Sequence, residues 1–148
     1  MDARPFAFAA VTAALAIPAV VLADGLGPHS SWYDQHPKAT KPMNNVSIVV
    51  HRDKNKADVF VDNFCLGSES PSGSPKYPDG AGARGLRVSK GKISYSGKAT
   101  IYRQSGQEQV AMRFAATVKP KSAAGSAKFP GKPCGTIGFT AKLAGRTK

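Results

Sequence analysis

The 148-residue chain is 41% hydrophobic and 20% charged, enough for one core and too short for several domains. Its 21 Lys and Arg against 9 Asp and Glu give a formal charge of +12, which excludes an acidic protein and favours anionic partners. No coiled-coil or repeat period runs through it.

Residues 1–23 read as an export signal. Asp2 and Arg4 precede an apolar run from Phe6 to Leu22, and Ala23 before Asp24 supplies the small residue expected at a cleavage site. Seventeen residues sit at the short limit for a membrane span, and Pro18 interrupts them, so a cleaved signal is expected rather than an anchor. Cleavage after Ala23 removes one acid and one base and leaves the basic excess intact. The expected location is the cell envelope or the outside, with no transmembrane segment remaining.

Residues 24–45 are rich in Gly, Pro, Ser, Lys and Asn without an apolar period, which predicts a flexible tether whose one adhesive element is Trp32-Tyr33. From Val46 the apolar period becomes two, the mark of half-buried strands, in runs at 46–50, 57–65, 86–88, 93–102, 107–118, 125–129 and 135–143. Ile93, Tyr95, Ala99 and Ile101 share one face while Ser94, Ser96, Lys98 and Thr100 line the other. Val110, Met112, Phe114, Ala116 and Val118 repeat this, predicting a long hairpin about Ser105-Gly106. The second run is apolar on both faces, through Val59 and Val61 on one and Phe60 and Phe64 on the other. Residues 66–85 read as a loop of about 20 residues, long enough to be functional. The expected fold is all-β: an antiparallel β-sandwich or open barrel of about six to seven strands over residues 46–143, followed by a tail at 144–148.

Cys65 and Cys134 lie in no CxxC motif and beside no His at ligand spacing, so no metal site is assigned and a structural disulfide is expected in an exported chain. It would close 69 positions, for which loop-closure entropy gives about 4 kcal/mol.

The stretches SKGKISYSGKATI and AAGSAKFPGKPCGTIGFTAKL, with an earlier cysteine closing a strand, resemble a group of small secreted β-proteins from actinobacteria. In that group a strand following a Cys ends in an aromatic-Thr-Ala-basic pattern, matched by Phe139, Thr140, Ala141 and Lys142. The resemblance covers about residues 46–143 and implies export, a disulfide and a β-sandwich. It transfers no functional residue.

Motifs for chemistry are weak. Gly80-Ala81-Gly82-Ala83-Arg84-Gly85 matches GxGxxG without the strand before and helix after that a dinucleotide needs, so no nucleotide or other cofactor is expected. Ser89 and Lys92 match SxxK at a turn rather than a helix start. Asp58 and Asp62 share a strand face about 13 Å apart, too far for a glycosidase pair. His51 with Asp53 is the other acid-base candidate, His29 and His36 lie in the tether, and Asn45-Val46-Ser47 is a sequon that matters only in a eukaryotic secretory route. No catalytic residue is assigned.

The basic residues carry the most usable signal. If successive strands run up and down, the turns at 51–56, 89–92 and 119–124 fall at one pole. They bring Arg52, Lys54, Lys56, Lys90, Lys92, Lys119 and Lys121 together, opposed by Asp53. Such a field suits an anionic cell-surface or extracellular polymer held by many salt-sensitive contacts. Solubility and protection of strand edges are the competing explanation. Nucleic acid is a weaker partner, because aromatic platforms are scarce among these cations. A small hydrolase using the 66–85 loop with Asp58, Asp62 or His51, and a protein-binding module around Phe60, Phe64 or Trp32, are the alternatives.

Overall fold

A computed structural model of the chain describes residues 27–38, 44–67, 79–103 and 106–148. The export segment expected at 1–23 lies outside them. Eight strands form one closed antiparallel barrel in strict chain order: β1 (Ser30–Asp34), β2 (Asn45–His51), β3 (Lys56–Asn63), β4 (Asp79–Ser89), β5 (Lys92–Arg103), β6 (Gly106–Val118), β7 (Ser122–Lys128) and β8 (Thr136–Arg146). The all-β antiparallel class and the disulfide stand as expected, with eight strands among the described residues instead of six to seven and a barrel that is closed rather than open.

Closure comes from the segment assigned above to a tether. β1 pairs with β2 through Ser30↔His51 to Asp34↔Ser47, and with β8 through Ser31↔Arg146 to Asp34↔Lys142. All five of its residues are buried, so it shows no alternation; a strand covered on both faces carries no period for the sequence to reveal. Tyr33 points into the core cluster, and Trp32 lies across Gly145 of β8. The tail also contracts: β8 runs to Arg146, and Thr147 N donates to Ser30 O across the seam.

Inward residues of all eight strands form one apolar cluster, as an eight-stranded barrel filled by its own side chains requires. Small and large positions interlock. β7 contributes Ala123 and Ala127 to the interior, and the rings of Phe114 and Phe139, from the strands on either side, stack 5.6 Å apart. Gly125 between them has no room for a side chain, since a Cβ there would fall 2.0 Å from Ala115 O.

The 66–85 loop is shorter than expected, because β4 begins at Asp79 and the GxGxxG stretch is strand. Its register against β3 slips between Ala57↔Leu86 and Val59↔Ala83. Gly85, at φ +70°, occupies that bulge, and Asp58 Oδ1 accepts its N–H at 2.9 Å. The outward side of Gly80 and Gly82 is covered by the Phe60 ring, which stacks on Tyr102 at 6.2 Å. Glycines whose bare backbone is roofed by a neighbour's aromatic ring make a strand without apolar alternation.

Alternating strand directions sort the connections into two sets. Residues 64–67 and 129–135 share one end, where Cys65 in a short 3-10 turn, η1 (Phe64–Leu66), bonds Cys134 with Cα atoms 5.2 Å apart. Leu66 and Phe129 are buried there at 1% exposure each. The turns at 52–55, 90–91 and 119–121 lie at the other end, together with residues 29 and 148, joined by a His29 N–H to Lys148 O bond of 2.8 Å.

Candidate functional site at the cationic end

Each hairpin turn at this end is locally specified. Asn55 and Lys90 adopt left-handed backbone, Gly91 follows at φ +73°, and Lys119 N donates to Ser122 O to close the third turn. The turns are tied to neighbouring strands by Val88 N–H to Asn55 O and Val118 N–H to Gly91 O. The topology therefore brings Arg52, Lys54, Lys56, Lys90, Lys92, Lys119 and Lys121 to one rim, and all seven are exposed. Asp53 is exposed beside them. Lys56 stands directly opposite Arg87 in the β3–β4 ladder, an in-register pair of like charges that works against stability.

Two guanidinium groups define the centre of this end, one of which the sequence reading left in the tail. Arg52 Nη1 donates to Ser31 Oγ at 2.7 Å and to Ser30 O at 3.0 Å, and its Nη2 reaches Thr147 O. Arg146 donates through Nε to the same Ser31 Oγ at 3.3 Å and through Nη2 to Pro120 O at 3.3 Å. Every one of these acceptors is neutral, so the contacts fix both cations without cancelling their charge. Below them, Tyr33 Oη donates to Lys119 O at 2.8 Å. Burial pushes the Tyr33 phenol above its ordinary value, against the opposing pull of Arg146 and Arg52. The signal for Arg146 was present: the inward series Phe139, Ala141, Leu143 carries the strand forward to the seam.

The acid-base candidates are placed differently from the sequence expectation. His51 pairs with Asp58 rather than Asp53, Nε2 to Oδ2 at 3.0 Å, and its Nδ1 lies 3.2 Å from Ser30 Oγ. Although Ser, His and Asp stand in a row, Ser30 has 0% exposure, which denies a substrate access to its hydroxyl. The row braces β1, β2 and β3 together and, through Asp58, holds the β4 bulge. Asp62 is buried at 6%, apart from His51. His29 and His36 flank opposite ends of β1, and among the described residues no group of His, Cys, Asp or Glu is arranged to hold a metal.

The other candidates disperse as well. Of the proposed apolar docking residues, Trp32 is buried, Phe60 is stacked on Tyr102, and Phe64 alone is open, at 49% exposure. The sequon Asn45 is half-buried and tied into a polar cluster: its Nδ2 donates to Asp34 Oδ2 and Ser47 Oγ at 3.3 Å each, and Ser47 Oγ donates to Asp34 Oδ2 at 2.9 Å.

The fold and site define a small disulfide-bonded, up-and-down β-barrel with one cationic end. No family model matches the chain, and neither a curated protein nor a solved structure matches it.

Proposed function

We propose that this is an exported, non-catalytic β-barrel that binds an anionic cell-envelope or extracellular polymer at its cationic end. The observation that carries the reading is the meeting of Arg52 and Arg146 on one neutral acceptor, Ser31 Oγ, inside a rim of exposed lysines. Two cations brought this close without a carboxylate raise the local potential, and an anion at the rim lowers the energy of both. A solubility device needs dispersed charge; convergent guanidiniums held by the backbone are a stronger arrangement than that role requires.

The test is retention of the exported chain on immobilised dextran sulfate across a salt gradient. The variant K90Q/K92Q/K119Q/K121Q is expected to elute at clearly lower salt than the parent with its thermal midpoint unchanged, because these side chains make no buried contact. Identical elution would reduce the rim to a solubility feature.

A further inference from the structure

A second group of cations lies along the side of the barrel. From Ser89 to Lys148 the chain carries twelve Lys and Arg and a single acid, Glu108. That acid is already engaged: Glu108 Oε2 accepts from Arg103 Nη2 at 2.7 Å and Oε1 from Lys132 Nζ at 2.7 Å. These contacts hold its carboxyl below the ordinary carboxylate range. No carboxylate in β5–β8 is left for the outer sheet face.

On that face the cations are brought together by register. Arg113 of β6 stands directly opposite Lys128 of β7. Ser96 of β5 is the other neighbour of Arg113, which places Lys98 on the diagonal, about 7–8 Å away. All three side chains are exposed. Directly opposed like charges cost stability in an antiparallel ladder, and neither member of the Arg113/Lys128 pair has a carboxylate on the surrounding strands to relieve it. The outward residues between them are short, Ser96, Ala111, Ala115 and Ser126 among them, so the cationic side chains project from their neighbours on the barrel wall. None of the outward residues in 94–100, 111–117 or 124–128 is aromatic.

We infer that Lys98, Arg113 and Lys128 form a lateral binding track for a linear polyanion of the polyphosphate class. Closely spaced, repeated charges match cations set on adjacent strands, and a ligand without bases suits stretches that offer no ring, the outward Phe60–Tyr102 stack lying beyond them. The inference rests on the anionic-polymer reading above, while using residues outside the rim.

Titration of the full exported chain with fluorescent inorganic polyphosphate, at several salt concentrations, separates the two. The variant K98Q/R113Q/K128Q is expected to bind at least tenfold more weakly at low salt, with the slope of log affinity against log salt reduced by about two. Its thermal midpoint should equal or exceed the parent's, because a repulsive pair is gone, and added polyphosphate should raise it less than the parent's. Parent-like affinity in this variant, with loss in K90Q/K92Q/K119Q/K121Q, overturns the track and leaves the rim standing. Loss in the face variant alone supports the track and removes the rim. Failure of the parent to bind any polyanion removes both. Tighter binding of poly-dT than of polyphosphate of equal charge overturns the assigned ligand class, since base stacking would then contribute.

Discussion

The two ends of the barrel are closed by different physics. At one end a covalent bond ties η1 to the β7–β8 connection over buried Leu66 and Phe129, and the cations Arg103 and Lys132 share the carboxylate of Glu108. At the other, the turns and the seam are held by hydrogen bonds to neutral acceptors, and the cations keep their charge. A barrel of this size does not need both ends sealed the same way. Once the disulfide and plug supply order at one end, the other tolerates repulsion that would otherwise open it, and repulsion is what makes it attractive to an anion.

The largest effect on this contrast should follow loss of β1, whose seam supports the hydrogen-bonded end. A chain beginning at Asn44 lacks Tyr33 and the strand that pairs with both β2 and β8. It is expected to show no cooperative thermal transition by circular dichroism, where a merely flexible tether predicts an unchanged midpoint.

Next in size is the covalent end. The variant C65A/C134A loses about 4 kcal/mol of loop-closure stabilisation, a fall in thermal midpoint on the order of 15 °C. Amide exchange should accelerate most around 64–67 and 129–135 and least in the turns at 90–91 and 119–121. Uniform acceleration would mean that the two ends are not independent.

The smallest effects are titrations of opposite sign. The ion pairs of Glu108 lower its folded value, so their stabilisation is present at neutral pH and is lost as pH falls through that lowered value; E108Q should flatten the acid limb. The phenol of Tyr33 is raised, so its contribution is complete below the ordinary tyrosine value of 10.0 and is lost as pH rises through the folded value; Y33F should flatten the alkaline limb. Acid therefore loosens the sealed end and alkali the cationic one, a difference that site-resolved exchange reads directly.

What the sequence made legible follows from where alternation survives. β5 and β6 have one wet face and one dry face, and their hairpin was readable in full, from Lys92↔Thr117 to Arg103↔Gly106. The alternation of poles was readable too, because it depends on counting strands after β2, and neither the added β1 nor the shortened loop alters that count. β1 was hidden because both of its faces are covered. β4 was hidden because Phe60 supplies from outside the apolar cover that Gly80 and Gly82 lack. Arg146 escaped notice because an end-of-chain cation looks like a tail until the seam gives it Ser31 as a partner. The acid-base candidates failed for a related reason: Asp53 is nearer to His51 along the chain, while cross-strand register gives the histidine to Asp58.

The β1–β8 seam also sets the order of assembly. Ser31 and Arg146 are 115 positions apart, and every other ladder joins neighbours in sequence. All eight strands can join by successive neighbour ladders, each costing little chain entropy, whereas the closing ladder must gather the two most distant strands around an already formed sheet. Until it does, β1 and β8 present unpaired edges, and only the pairing of the two removes them. Closure of the β1–β8 ladder is therefore the step expected to limit folding, and a sequence change that slows it is expected to lengthen the time the protein spends open to aggregation without touching the finished fold.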